Sequence, residues 1–431
     1  MNRNDTKKIG SRESGVVEPY EARERSVQTG TRRGFLQKGT AGLAALGMST
    51  SLTANTPSSW KVPGGEFSNY GAPHPDQDKV IRWISQSRSV AGEGVSWTPL
   101  QDLEGIITPN GLHFERHHNG IPDVDTTRWE VAIHGLVDNP VAFDLEALKR
   151  YPMTSRITFI ECGGNSNSLW HPTPVQAPVG YAHGLISCSE WTGVRLGLLL
   201  EEAGLHADGL WLIADGLDSA GVSVSLPLTE LPEDTLIALY QNGEALRPAN
   251  GYPARLLIPG WEGITHVKWL RSLQVSAAPL MSRFDTVSYT DLHKDGIAER
   301  FSFEMKIKSV ITSPTPGKSL RGPGFHEISG LAWTGNGKVR QVDISVDRGL
   351  SWHSAELQEP VLDKALTRFR LPWEWDGTDT VLQSRAMDHT GRMQPTREAL
   401  IAAKGSSVYY HYNAIVSWAV DKAGNISHVY V

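Results

Sequence analysis

The stretch RITFIECGGNSNSLWH, Arg156 to His171, sets a cysteine, Cys162, straight after a strand-like run and follows it with two glycines. A thiol so placed has three chemical uses. It can be a small buried hydrophobe, the common fate of a free cysteine. It can be a nucleophile with His171 as candidate base, although nothing around it has the pattern of a cysteine hydrolase. It can also be one soft ligand to a metal centre that brings its other ligands with it. Zinc would call for three or four protein ligands, whereas a metal held mainly by an organic dithiolene needs one. Thiolate softness suits such a centre, and the glycines let the backbone approach a bulky group. The other cysteine, Cys188, reads as a buried structural thiol. His113, His117 and His118 suggest a metal cluster by type, but on a strand His117 and His118 face opposite sides, which argues against a shared ion.

The elements that must position these residues are mixed. RWEVAIHGLV, Arg128 to Val137, places Trp129, Val131 and Ile133 on one face, as a strand does. Leu196, Leu199, Leu200 and Ala203 follow helical spacing, and Gly204 comes next as a C-cap. ARLLIPG and HVKWLRSLQVS read as further strands. After about residue 300 the grammar becomes strand, Asp/Gly turn, strand. VRQVDISVDRGLSWHSAEL, TVLQSRAMDHTGRMQP and VYYHYNAIVSWAVDKAGNISHVYV all repeat it. Such spacing predicts an antiparallel sandwich of immunoglobulin type. The Pro-rich ITSPTPGKS, Ile311 to Ser319, reads as a loop.

Bulk properties exclude several classes. The chain has 431 residues, 39% hydrophobic and 20% charged, the profile of a globular protein of two or three domains. No apolar run is long enough to span a bilayer. Two cysteines make neither a disulfide framework nor a Cys-only zinc site. Cys-x-x-Cys-His is absent, so no haem is expected in this chain. Near the N-terminus, TRRGFLQKG followed by TAGLAALGMST resembles a twin-arginine export signal over residues 1–54, which predicts export to the periplasm. Without those residues the chain keeps 32 basic and 42 acidic side chains, a net charge of −10. That disfavours nucleic acid and anionic membrane as partners. Residues 55–105 read as an irregular arm, 106–295 as the chemistry-bearing domain and 296–431 as the sandwich.

The motifs sharpen the picture. IECGGNS is similar to the Cys-x-Gly-Asn loop of the sulfite oxidase family of molybdenum enzymes. LHFERHHNGIPDVD resembles that family's Phe-x-Arg-Asn-His segment, and CSEWTGVRLGLLLEEAG its Trp-x-Gly-x-x-Leu helix entry. LIALYQNGEALRPANGYPARLLIPGWEGITHVKWLRSLQV carries its Asn-Gly-x-x-Leu, Gly-Tyr-Pro-x-Arg and Val-Lys-Trp-Leu run in order. Within the family, NGYPARLLIPGWEG, SCSEWTG, SYTDL and FSFEMKIKSVIT look most like the molybdenum subunits of sulfane dehydrogenases.

This resemblance implies an α+β fold, a sulfite oxidase-type molybdopterin domain followed by an immunoglobulin-like dimerisation domain. It implies a molybdenum–molybdopterin cofactor with Cys162 as the metal thiolate. Arg116, Cys162 and Tyr289 become the catalytic candidates. Phe114, Glu115, Arg116, His117, His118, Asp218, Asn250, Arg255, His266, Val267 and Lys268 become cofactor-binding candidates. Arginine and lysine suit phosphate, and Asp218 suits pterin N–H groups. The implied partners are a c-type cytochrome subunit, a sulfur-carrier protein bearing a cysteine persulfide, and a second copy of the chain in an α2β2 complex. The sequence also departs from the family. Ser166 and Asn167 follow the loop where sulfite oxidases carry basic residues, Asn250 stands where a pterin-contacting histidine is usual, and Gly163 where serine or alanine is expected. The missing positive charge favours carrier-bound sulfane sulfur over free sulfite. The alternatives are a sulfite dehydrogenase of the same family, or a non-catalytic periplasmic binding module.

Overall fold

A computed structural model describes residues 58, 62–300 and 303–431. The export-signal reading of residues 1–54 lies outside the described residues. The chain divides into two compact units, Met1–Ala72 and Pro73–Val431, and all that follows concerns the second. No helix among the described residues is long and apolar enough to cross a membrane.

The segment expected to be irregular carries two strands. β1 (Trp83–Gln86) and β2 (Gly94–Trp97) pair antiparallel, and β2 pairs in turn with β3 (Glu115–His117). The sequence hides this sheet because its strands are too short and too exposed to show hydrophobic alternation.

Next in the chain come β4 (Glu130–Gly135), β5 (Val141–Asp144), β6 (Met153–Glu161), β7 (Ile186–Arg195), β8 (Trp211–Gly216), β9 (Ser223–Pro227), β10 (Leu236–Gln241), β11 (Glu244–Ala245), β12 (Arg255–Leu257) and β13 (Leu270–Ser276). They build two sheets. One runs β5-β4-β13-β8-β9 and the other β11-β10-β7-β6, with β12 paired to β10. The predicted face is buried: in β4 Val131 and Ile133 are wholly inaccessible, and Trp129, just before the strand, is nearly so. Helix α1 (Leu196–Ala203) turns Leu196, Leu199, Leu200 and Ala203 into the same core, and Gly204 ends it in the left-handed conformation. Each such leucine contributes about 1.5–3 kcal/mol relative to exposure. HVKWLRSLQVS is a strand only from Leu270 onward, and its first four residues turn inward toward the site.

The C-terminal part follows the predicted grammar. After the short hairpin of β14 (Thr290–Leu292) and β15 (Ala298–Arg300) come β16 (Lys308–Ser313), β17 (Gly324–Trp333), β18 (Val339–Ser345), β19 (His353–Ser354), β20 (Glu356–Leu357), β21 (Thr367–Trp375), β22 (Thr380–Asp388), β23 (Ser417–Val420) and β24 (Ile426–Val429). They form a sheet β16-β17-β21-β20 and a sheet β19-β18-β22-β23-β24. ITSPTPGKS is therefore part strand, since Ile311 to Ser313 end β16. The expected turn Asp347-Arg348-Gly349 is present, with positive φ at Arg348 and Gly349. VYYHYNAIV is not a strand: β23 begins only at Ser417. Its backbone is diverted, because Asp291 accepts from the N–H groups of Tyr409 and Tyr410, and the His411 N–H reaches back to Gly163.

The two parts share a core. Leu100, Phe159, Leu169, Trp170 and Cys188 pack in one apolar cluster with Trp333, Phe369, Leu382 and Trp418. Burial pushes the Cys188 thiol up to about 12, consistent with the structural role read from the sequence.

Candidate active site

Cys162 begins the loop that follows β6. Its N–H donates to the Leu185 carbonyl at 2.9 Å, and its carbonyl accepts from the Asn165 N–H at 2.9 Å, closing a tight turn. Ser166 continues the turn with a left-handed φ of 66°. Asn165 braces it on both sides: its Nδ2 donates to Glu161 at 2.8 Å and its Oδ1 accepts from the Leu185 N–H at 3.1 Å. The thiol is 9% exposed and opens into two adjoining cavities.

The inner cavity encloses about 710 Å³ of empty space, counting its mouth. All thirteen residues proposed from the sequence line it: Phe114, Glu115, Arg116, His117, His118, Cys162, Asp218, Asn250, Arg255, His266, Val267, Lys268 and Tyr289. His113, which the sequence raised only as part of a metal cluster, and Trp269, which it did not propose, join them. His171 lines neither cavity and is exposed, so the nucleophile reading of Cys162 loses its base.

The floor of this cavity is cationic. Arg255 donates to the carbonyls of Asn250 and His266 at 3.0 and 3.1 Å and lies 5.1 Å over the Trp191 ring, while its Nε has no partner. Burial lowers its guanidinium to about 9. Lys268 donates to the Arg116 and Ala249 carbonyls, both at 3.1 Å, and to His117 Nδ1 at 2.9 Å. Burial, with Arg255 nearby, holds its amine well below the usual lysine value. Two buried cations without a bonded carboxylate are costly unless an anion completes the site.

The histidines divide by task. His117 receives Lys268 at Nδ1, so its Nε2–H donates to Glu115 at 3.1 Å. Burial opposes ionisation of Glu115, but hydrogen bonds from His117 and Arg82 override it and hold the carboxyl at about 2. His118 turns the other way and meets the Tyr289 hydroxyl at 3.1 Å. Burial lowers His118 to about 3 and raises the Tyr289 phenol, so both are neutral at neutral pH. His266 is spent on the protein, accepting from the Ile258 N–H and donating to the Trp261 carbonyl. His113 donates through Nδ1 to the Phe114 carbonyl at 2.8 Å, which leaves Nε2 a buried acceptor without a partner. Among the described residues no group of three or more His, Cys, Asp or Glu side chains could hold a metal ion.

The outer cavity is a funnel of about 1350 Å³ of empty space, again counting its mouth, and Cys162 lies at its base. Arg116, Tyr289, Tyr181, Arg283, Glu93, Tyr409 and Tyr410 are among its walls. Tyr410 stacks on Tyr289 with centroids 5.3 Å apart. The C-terminal part therefore helps build the site.

It also clamps the cysteine loop from behind. Lys308 Nζ bonds Ser166 Oγ at 2.7 Å and pairs with Glu161 at 3.5 Å, both ends fully buried. Trp333 Nε1 donates to the other Glu161 oxygen at 2.6 Å. The Glu262 carboxylate runs beside the loop, with Oε2 on His411 Nε2 at 2.9 Å and Oε1 unpaired. A Cβ on Gly163 would lie 2.0 Å from that Oε1. The glycine unexpected at this position is thus required by a neighbouring carboxylate. Motif reading had no means to find Glu262, because its closeness to residue 163 exists only in the fold.

The donor set fits the molybdopterin implied by the sequence. Arg255, Lys268 and the Arg255 Nε suit a phosphate. His113 Nε2 offers an acceptor for N–H groups, and Asp218, which accepts from the Val222 N–H at 3.3 Å, has carboxylate capacity left for the same purpose. Burial pushes the Cys162 thiol up to about 11, so it becomes a thiolate only when a metal cation replaces its proton.

Comparison with known proteins gives the same answer. Residues 118–284 match the oxidoreductase molybdopterin binding domain and residues 299–418 the Mo-co oxidoreductase dimerisation domain. Mitochondrial sulfite oxidase of Mus musculus is 31% identical over 316 residues, covering 69% of this chain and 57% of that protein. Nitrate reductase [NAD(P)H] of Hordeum vulgare is 29% identical over 315 residues, covering 64% and 34%. The chain thus spans about half the length, or less, of these curated relatives. The crystal structure of the sulfane dehydrogenase SoxCD from Paracoccus pantotrophus superposes with a TM-score of 0.84 at 40% identity, covering 89% of this chain and all of that one.

Proposed function

The chain belongs to the sulfite oxidase family of molybdenum oxidoreductases, and on that premise we propose that it is the molybdenum subunit of a sulfane dehydrogenase. It would oxidise sulfane sulfur carried on a partner's cysteine within a thiosulfate-oxidising system of the periplasm, and pass electrons to a c-type cytochrome. The observation that carries this reading is the 40% identity to a sulfane dehydrogenase over that chain's full length. It is supported by a Cys162 loop without the basic residues suited to a small dianion.

When bound, the molybdenum cofactor supplies a two-electron redox centre and the oxygen atom that sulfur receives. The residues of this chain do the rest. Cys162 would ligate the metal, and Arg255 and Lys268 would anchor the phosphate. Arg116 would present a guanidinium to the oxygens of the substrate and of the oxidised product, which carry the negative charge. Tyr289, kept protonated by its burial, would offer a hydroxyl to a substrate oxygen from a position fixed by His118 and Tyr410. Tyr181, Tyr409 and Tyr410 wall the funnel and limit solvent around the reacting sulfur.

The second reading, a sulfite dehydrogenase, is favoured by Arg116 and Arg283, two cations in the funnel wall. The deciding experiment is turnover of the native complex with thiosulfate plus carrier proteins, against turnover with sulfite alone. Preference for sulfite without carrier would reverse the assignment. Molybdenum analysis of the protein from its native host separates both readings from a non-catalytic binding module, which would hold none. Export by the twin-arginine route is tested by Arg32→Lys with Arg33→Lys. Lysine keeps the charge but loses the planar guanidinium, and the protein should then stay in the cytoplasm.

A further inference from the structure

Arg116 does not face the funnel alone. Its Nη2 lies 3.2 Å from Glu93 Oε1, and both side chains are funnel walls. The pairing is built into the backbone. Glu93 immediately precedes β2, whose register sets Gly94 opposite His117 and Val95 opposite Arg116. The preceding Gly92 holds a left-handed φ of 71°, and a Cβ there would lie 2.6 Å from backbone atoms of Gly120. The hairpin turn is thereby seated against the loop that leaves β3, and Glu93 is delivered to one place.

The charges that face this end of the funnel are Arg116, Arg283 and Glu93, and His118 beside them is neutral. Two unopposed cations would concentrate small dianions at the funnel base. The Glu93 carboxylate cancels one of those charges and takes an Arg116 Nη2 N–H that a free oxyanion would otherwise use, while Nη1 is held by the His117 carbonyl. We propose that Glu93 is a specificity-determining residue: by keeping Arg116 paired, it disfavours free sulfite and sulfate and leaves the funnel to sulfur that arrives at lower charge on another protein. This inference rests on the sulfane reading given above, and it adds a repulsive element to the attractive ones.

The test uses the intact, cofactor-loaded complex and Glu93→Gln, which keeps the side chain's shape and removes its charge. Calorimetric titration with sulfate, an inert dianion, reads binding without turnover. The dissociation constant for sulfate should fall at least fivefold at low ionic strength, and the gain should shrink as salt rises. The KM for sulfite should fall by a similar factor, more than any change in kcat. Adding Arg116→Met to Glu93→Gln should abolish the gain in sulfate binding. A sulfate constant that moves less than fivefold, or a gain that survives loss of Arg116, overturns the role of Glu93. Failure of the sulfane reading would look different: the wild-type complex would ignore carrier-bound sulfane, whatever the sulfate titration gives.

Discussion

Replacing Gly163 by alanine drives a methyl group into the Glu262 carboxylate. The new Cβ would sit 2.0 Å from Oε1 and 2.7 Å from the carboxyl carbon. Gly163 is not in the left-handed region, so the penalty is steric and backbone strain adds nothing. Glu262 cannot yield cheaply: it is wholly buried, and its other oxygen is tied to His411 at 2.9 Å. Either that bond breaks or the Cys162 loop moves. Overpacking of this kind costs about 1–3 kcal/mol, a fall in Tm of roughly 1–4 °C for a unit of this size. Calorimetric melting of the apo-protein measures it, and molybdenum content of the loaded protein tells whether the loop has shifted. The decisive control is a double-mutant cycle. Glu262→Ala removes the obstacle, so in that background Gly163→Ala should cost less than about 0.5 kcal/mol, a coupling of about 1–3 kcal/mol. Equal costs of Gly163→Ala in the two backgrounds would refute the steric argument.

Cys162→Ser should fold, with unchanged far-UV circular dichroism, but lose turnover, because a hard and protonated hydroxyl replaces a soft thiolate on the metal. Near-normal turnover of the cofactor-loaded variant would remove Cys162 as the ligand. Lys308→Met leaves Glu161 buried without its counter-charge and should cost about 3–5 kcal/mol, read as a lowered Tm, whereas an unshifted melt would mean the ion pair is dispensable. Acid should weaken the apo-protein early. Burial holds His113, His118 and His266 at about 3 in the fold, whereas they titrate near 6.5 when unfolded. Their contribution is complete above pH 6.5 and is lost as pH falls toward 3, at about 1.4 kcal/mol per pH unit for each histidine. A melt series from pH 7 to 5 should slope accordingly, and His113→Gln should make the slope shallower by about one histidine's share. A flat series would contradict neutral burial.

Local signals carried much of this protein. The alternation of Val131 and Ile133, the spacing of the α1 leucines and the Asp347–Gly349 turn each describe neighbours in sequence, and each appears as read. The motif residues carried further, because a family pattern condenses long-range contacts into short strings. Phe114 and Tyr289 are far apart in the chain yet line one cavity. What the residues could not convey were contacts that no string contains. Glu93 reaches Arg116 through a hairpin whose strands are too short and exposed to betray themselves. His411 lies in a run that reads as strand until Asp291 and Gly163 divert it. Gly163 looked like a departure from the family until Glu262 stood beside it.

The clamp on the cysteine loop has a consequence for biosynthesis. Lys308, Trp333 and His411 all leave the ribosome long after Cys162, His411 by 249 residues. The metal-binding loop therefore lacks its rear supports until long after its own residues are made. A chain cut short before His411 presents a thiol but no finished cradle.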